Sequence, residues 1–294
     1  MSEKHAYLIM AHNQPELLAC LLKALDHADN DIYLHLDRKM PAFDRAALES
    51  QVVKGRLCIL PERLDVKWGE YSQIRCELTL LTAASKQPHA YYHIMSGVDF
   101  PLKPQEQIHK FFRENAGTEF VQFYAPQVGK DVKNRVEKRH FFIKRRELKT
   151  LPEKIFGKLL MLLQLPMDRT RRLGMTLQKG ANWCSITHEL ACYVLSREAF
   201  IRKTFRHSLC GDEVFLQTLV YNSEFRHRVV GENYCDNYRN ICYLIDWDRG
   251  IPYEFTEEDY DLLMGSDMLF ARKFNWNKDR KIVLRLLDAV TGGE

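Results

Sequence analysis

No apolar run in this chain of 294 residues approaches the roughly 20 residues a membrane-spanning helix needs, and stretches such as Leu159 to Leu163 are far shorter. The eight cysteines include no C-x-x-C pair and no H-E-x-x-H occurs, so neither a zinc site nor a redox dithiol is indicated. G-x-G-x-x-G and the P-loop are both missing, which argues against a dinucleotide enzyme and a P-loop NTPase, and the G-x-S-x-G elbow of a serine hydrolase is absent too. The opening MSEKHAYLIMAHNQPE breaks its short apolar run at His12 to Gln14 and reads as no secretion signal. Internal repeats and Gly-, Pro- or Ser-rich linkers are likewise lacking. With irregular spacing and a chain long enough to bury a core, the cysteines read as reduced thiols of a cytosolic protein.

What is present is a globular composition: 46% hydrophobic, 28% charged and 11% aromatic residues with a net charge of +4. Short apolar runs closed by polar turns read as strands at Ala6 to Ala11, Ile32 to Asp37, Arg56 to Leu60, Tyr91 to Gly97 and Glu119 to Tyr124. Helical spacing appears between them at Pro15 to Leu25, Tyr71 to Ser85 and near Gln105 to Arg113. That alternation predicts an α/β fold with a mostly parallel central sheet and helices on both faces. Ligands of such sheets sit beyond the carboxyl ends of the strands, here His12-Asn13, Asp37-Arg38-Lys39 and Ser96 to Asp99. After the middle segment the pattern resumes with a strand at WCSIT, helices at His188 to Ile201 and Asp212 to Tyr221, and a looser C-terminal arm. The chain reads as one domain over residues 1 to 294, with a basic, partly helical insertion at about 130–178. Between Lys130 and Lys149 it carries nine Lys or Arg against three Asp or Glu; Arg169, Arg171 and Arg172 follow. Its amphipathic run Glu153 to Leu165 can bind an anionic membrane surface or a lipid-linked phosphate, or it can be an ordinary packed helix beside solvated charge.

Two acidic residues flank Trp247 in Asp246-Trp247-Asp248, a pattern able to hold Mg²⁺ or Mn²⁺, but its late position favours a role in capping a loop. Asp99, before Pro101 in turn, can contact a ligand or cap its own turn. Trp68 and Tyr71 can line a pocket or join the core at a helix start. Trp183 can stack on a sugar or be buried in its strand.

Seven blocks in fixed order carry a more specific signal: AYLIMAHNQP (6–15), IYLHLDRK (32–39), VKWGEYSQIRCEL (66–78), YYHIMSGVDFPLK (91–103), KGANWCSITHELACYVL (179–195), CGDEVFLQTLVYNS (210–223) and IDWDRGIPYEFTEEDYDLLMGSDMLFARKF (245–274). Together they resemble the core-2/I-branching β-1,6-N-acetylglucosaminyltransferase family, which includes peptide O-xylosyltransferases and plant glucuronosyltransferases. The resemblance implies a GT-A type fold and inverting transfer from a UDP-sugar, with no cofactor and no metal. It implies Glu213 as the catalytic base, in a block where Gly211 stands in place of the family's Pro. Met10, Ala11, His12, Asp37, Arg38 and Lys39 fall at strand ends that hold uridine and ribose in the family. Arg239 and Lys273 match cations that contact the UDP diphosphate. Trp68, Tyr71 and Asp99 are the further donor-side candidates, and Trp183 is the acceptor-side one.

The resulting expectation is a glycosyltransferase using UDP-N-acetylglucosamine, with UDP-xylose or UDP-glucuronate as alternative donors and a glycan or lipid-linked glycan as acceptor. A cytoplasmic enzyme, peripheral at the inner face of the cell membrane, fits the reading of the termini. A nucleic-acid-binding protein using the basic stretch is the alternative of another class, but recognition-helix, zinc-finger and RNP patterns are all absent. An inactive sugar-binding scaffold is disfavoured by the joint presence of Glu213, Arg239 and Lys273.

Overall fold

The computed structural model describes residues 3–124, 129–140, 150–164, 170, 173–231 and 238–292. Arg169, Arg171, Arg172 and the basic residues from Lys144 to Lys149 lie outside them. The strands β1 (His5–Ala11), β2 (Asn30–Leu36), β3 (Arg56–Ile59), β4 (Tyr91–Ser96) and β6 (Cys184–Thr187) form a sheet of order β3-β2-β1-β4-β6. The first four run parallel, and β6 pairs antiparallel with β4. This is the expected parallel-dominated α/β sheet. β1 and β2 are buried nearly throughout, because crossover helices cover both faces of a parallel sheet.

Those helices are α1 (Pro15–Ala24), the short α2 (Arg45–Glu49), α3 (Tyr71–Ala84) and α4 (Gln105–Glu114). One face of the sheet packs with Leu17, Leu18, Leu21, Leu22, Ile108 and Phe112, the other with Ile74, Leu78 and Leu81. Strand order reverses between β1 and β4, and such a switch point opens a crevice beyond the carboxyl ends. Gly97 follows β4 at that point; a Cβ there would stand 2.8 Å from the Cβ of Ala11.

Glu119 to Tyr124 is not a sheet strand. It is an extended segment held by isolated bridges from Glu119 to Val229 and from Phe120 to Ser185. The expected helix from His188 to Ile201 is two, α7 (His188–Ser196) and α8 (Glu198–Phe205), meeting at Arg197. A 3₁₀ turn at Gly211–Glu213 precedes α9 (Phe215–Tyr221), so Glu213 lies in the turn, not within the helix.

The C-terminal arm is ordered, not loose. β5 (Phe100–Pro101), β7 (Tyr243–Ile245) and β8 (Phe270–Arg272) make a second small sheet. α10 (Tyr260–Gly265) precedes β8, and α11 (Arg280–Thr291) lays Ile282, Val283, Leu286 and Val290 into the core that contains α1. Asp279 caps α11 by accepting from the amides of Lys281 and Ile282.

Within the basic middle, α6 (Leu151–Leu163) takes up most of the amphipathic run from Glu153, and α5 (Lys130–Glu137) is a second helix that the pattern did not indicate. The chain enters this segment at Tyr124 and leaves it at Lys179, where the Tyr124 amide donates to the Lys179 carbonyl at 2.9 Å. No helix among the described residues is long and apolar enough to cross a membrane.

Because Gly97 allows the close approach at the switch point, Gly97→Ala is expected to push β1 and β4 apart and to lower stability by about 1–3 kcal/mol, read from denaturant midpoints.

Candidate active site

The sequence-predicted residues at the carboxyl ends of β1 and β2 come together. His12 lies in the combined field of Asp37, Lys39, Arg272 and Lys273, and its pKa is lowered by burial and by those three cations against the opposing carboxylate. Asp37 is buried and spends its carboxylate on the backbone, accepting from the amides of Lys39 at 2.7 Å and Val66 at 2.9 Å. It thereby fixes the loop leading to Trp68. Lys39 closes the same loop by donating to the Val66 carbonyl and approaching Asp65 at 3.6 Å. Met10 is half-buried and Ala11 buried at the end of β1, while Arg38 is exposed and anchors its amide on the Leu64 carbonyl.

Asp99 does cap its own turn. Wholly buried, it accepts from the Ser96 amide at 2.8 Å, the Tyr243 hydroxyl at 3.3 Å and Arg272 Nη1 at 2.8 Å. Burial raises its pKa, opposed by the Arg272 charge. Arg272 in turn lies 3.9 Å over the ring of Trp183, which is half-buried against the core. Arg272 is a functional candidate that the sequence reading passed over, although it stands beside Lys273 in LFARKF. Lys273 pairs with Glu254 at 3.4 Å.

Arg239 and Lys273 flank opposite ends of the small sheet. The guanidinium of Arg239, just before β7, bonds Asp267 just before β8, whereas Lys273 follows β8. Trp68 is largely exposed, and Tyr71 at the start of α3 lies in the field of Glu198 and Arg202 on α8, with its pKa raised chiefly by burial. Tyr71 also packs against the core cluster that contains Ile74 and Leu78.

Glu213 sits in a turn built by two chain crossings. The Cys210 amide donates to the Gly69 carbonyl at 2.9 Å, which joins the turn to the Trp68 loop, and the Gly180 amide donates to the Glu213 carbonyl at 3.0 Å. Gly180 passes so close to Gln122 that a Cβ would stand 1.8 Å from its carbonyl oxygen. Cys210 adopts φ 47°, a left-handed conformation that costs energy for a residue with a side chain and recurs at functional turns. The Glu213 carboxylate is 36% exposed and accepts from Arg135 at 2.7 Å, with Lys179 at 3.6 Å. Lys179 also lies over the Tyr124 ring. Neither cation was legible as a site residue, because Arg135 reads as one member of a charge run.

Behind Glu213 the environment inverts. Asp212 is buried, and burial together with the Glu213 charge pushes its carboxyl up to about 7. Glu77 on α3 is wholly enclosed and raised well above the usual range by burial and by Asp212. One oxygen of each, Glu77 Oε1 and Asp212 Oδ1, has no hydrogen-bond partner. Two adjacent carboxyls that cannot both ionise retain a proton between them.

The Asp246-Trp247-Asp248 triplet is a capped turn. Asp246 accepts from the amides of Asp248 and Arg249 and from Arg249 Nε, and these bonds lower its pKa against the burial that would raise it. Among the described residues no group of three or more His, Cys, Asp or Glu is placed to share a metal ion.

A carboxyl protonated in the fold but ionised in the unfolded chain costs stability increasingly as pH rises from its unfolded to its folded value. For Asp212 that window runs from about 4 to about 7. The thermal midpoint of Asp212→Asn minus that of the unsubstituted chain should therefore rise across this window and level off above it. A flat difference measured by scanning calorimetry would refute the buried, protonated Asp212.

A family model described as Branch, the core-2/I-branching enzyme, matches residues 5–262, which include every candidate above except Arg272 and Lys273. Xylosyltransferase oxt of Drosophila pseudoobscura pseudoobscura is 23% identical over 291 residues, covering 92% of this chain and 31% of that protein. Xylosyltransferase 2 of Rattus norvegicus is 24% identical over 304 residues, covering 96% and 33%. The chain thus spans about a third of the length of these curated relatives. Among solved structures, apo mouse xyloside xylosyltransferase 1 aligns over 93% of this chain and 98% of its own at 11% identity, with a TM-score of 0.39. With the family model matched over most of its length, this chain belongs to the core-2/I-branching enzyme family.

Proposed function

We propose that the chain is an inverting glycosyltransferase of GT-A type that moves a sugar from a UDP-sugar to a hydroxyl of a glycan acceptor. The observation that carries this reading is the partly exposed Glu213 carboxylate. It is held in a strained turn tied to the Trp68 loop, within a family-matched segment. The acceptor oxygen attacks the anomeric carbon as the bond from that carbon to the diphosphate oxygen breaks. Glu213 accepts the hydroxyl proton, and UDP departs with the bonding electron pair. To do so Glu213 exchanges part of its contact with Arg135 and Lys179 for the acceptor hydroxyl. Its neighbour Asp212, with its carboxyl pushed up to about 7, is buried and so is less open to an acceptor hydroxyl than Glu213.

Negative charge grows on the diphosphate as the bond breaks, and fixed cations can stabilise it without coordination geometry. In this reading Lys273 supplies that charge at the β8 end and Arg239 approaches from the opposite end of the small sheet. Arg272, committed to Asp99, holds the position of Lys273. Met10, Ala11, His12, Asp37, Arg38 and Lys39 bind the nucleoside, Trp68, Tyr71 and Asp99 complete the donor side, and Trp183 offers its ring to the acceptor. The donor in this reading is UDP-N-acetylglucosamine, following the family's branching members. Similarity to xylosyltransferases favours a second reading in which xylose is transferred.

Incubation with UDP-N-acetylglucosamine, UDP-xylose and UDP-glucuronate, followed by UDP release and thermal stabilisation, separates the donors. Glu213→Gln is expected to retain UDP binding and lose roughly a hundredfold or more in turnover, since an amide cannot take the proton. Lys273→Ala should depress turnover more than uridine binding, because its interaction strengthens toward the transition state, and activity should persist in EDTA. Near-normal turnover of Glu213→Gln would move the base elsewhere. Loss of activity on chelation with recovery on Mn²⁺ would withdraw the roles of Lys273 and Arg239.

A further inference from the structure

Helix α6 turns a row of large apolar side chains outward. Leu151, Ile155, Leu159 and Leu162 recur every three or four residues and are 71%, 58%, 50% and 58% exposed, and Leu163 beside them is 62% exposed. Toward its C-terminal end the other side meets the protein, with Leu160 half-buried and Gln164 buried. Lys158 is exposed within the same row, placed to extend its amine past an apolar boundary.

The C-terminal end of α6 is fastened to a cavity of opposite character. The Arg139 amide donates to Gln164 Oε1 at 2.7 Å, and Gln164 Nε2 donates back to the Arg139 carbonyl at 3.2 Å. Arg139 and four residues from α8 and its C-terminal end, Arg202, Lys203, Arg206 and His207, line a cavity of about 640 Å³ with Ala199. No ion pair joins Arg139, Arg202, Lys203 or Arg206 to a carboxylate among the described residues. The dipole of α8 accounts for cations on its last turn. It does not account for Arg139, which arrives from a different segment and points a further charge into the same space.

We propose that α6 and this cavity form one docking surface for an anionic phospholipid bilayer, the apolar row entering the interface while Arg139, Arg202, Lys203 and Arg206 hold a lipid phosphate. Charge complementarity selects this occupant: an apolar face beside four cations that have no ion pair among the described residues matches the acyl and phosphate layers of one lipid leaflet. The surface also lies close to the candidate base. Arg135, which pairs with Glu213, sits on α5 one turn before Arg139, and the His140 amide bonds the His207 carbonyl. Docking would thus present the Glu213 turn to an acceptor held at the membrane. The inference does not depend on the chemistry proposed above, because its readout is partition.

Flotation of the whole chain with phosphatidylcholine vesicles, with and without phosphatidylglycerol, tests it. Binding is expected only to the anionic vesicles and should weaken with added salt. Leu159→Glu with Leu162→Glu should reduce partition roughly tenfold or more, as should Arg202→Glu with Arg206→Glu. The neutral pair Arg202→Gln with Arg206→Gln should fall between the last pair and the unsubstituted chain. All substituted positions are exposed, and thermal midpoints confirm folding of every variant. UDP release from the donor in solution should be unchanged in these variants. Absence of binding to anionic vesicles at low salt overturns the proposal. So does binding that survives the α6 substitutions, or stabilisation by inorganic phosphate that the arginine substitutions remove while vesicle binding persists. Oligonucleotide binding that needs the arginines but not α6, or a dimer that the α6 substitutions dissociate while vesicles are ignored, would equally overturn it.

Discussion

One buried carboxylate joins the two sheets of this protein. Asp99 lies in the turn after β4, yet its partners come from the turn backbone, from β7 through Tyr243 and from β8 through Arg272. A carboxylate taken out of water costs several kcal/mol unless its oxygens are bonded and an opposite charge is near. The chain meets that condition only when the small sheet docks against the end of β4. The same Arg272 then stacks on Trp183 just before β6, so the carboxyl edge of the large sheet, the small sheet and an aromatic wall share one electrostatic centre. Lys273 inherits its position from this arrangement, as does the field acting on His12.

The carboxyls around Glu213 show how environment divides one chemistry into two roles. Asp212 and Glu213 are adjacent in sequence. The first turns into the protein, where burial and the Glu213 charge push its carboxyl up to about 7, and the second turns toward Arg135, Lys179 and solvent. Environments that push neighbouring carboxyls apart in acidity are the usual means of assigning distinct proton-handling roles at one pH. Burial and the Glu213 charge make that division, and Asp212 in turn helps to raise Glu77 on α3, an element far away in the chain.

Much of the first half was legible because its strands are long, apolar and closed by polar turns, which the parallel sheet requires. The small sheet was not, since β7 and β8 have three residues each and β5 has two, too few to establish a period. α11 does carry helical spacing behind the cap at Asp279, and the sequence reading left it within a loose arm. Strand ends pointed to His12, Asp37 and Lys39, and the block pattern pointed to Glu213. The partners of those groups were hidden for a physical reason. Arg135 against Glu213, Arg272 against Asp99 and Glu77 against Asp212 are tertiary meetings between distant segments, and no local spacing encodes them. Arg239 illustrates the converse: a motif position can match while the side chain sits at the far end of the sheet from its supposed companion.

The hydrogen bond from Tyr124 to Lys179 brings the two ends of the basic segment together, so the segment leaves and rejoins the framework at one place. An excursion whose ends already meet adds little closure entropy when its length changes. The length of the segment can therefore change without re-registering a strand, while Val132, Val136 and Leu177 hold its described parts to the core. Several tethers limit that freedom, among them the His140 amide on the His207 carbonyl, the Leu209 amide on the Arg135 carbonyl and the pair of Arg135 with Glu213. Whatever occupies the segment must still return a cation where Arg135 meets Glu213, so variation in what the molecule docks against remains tied to the electrostatics of its candidate base.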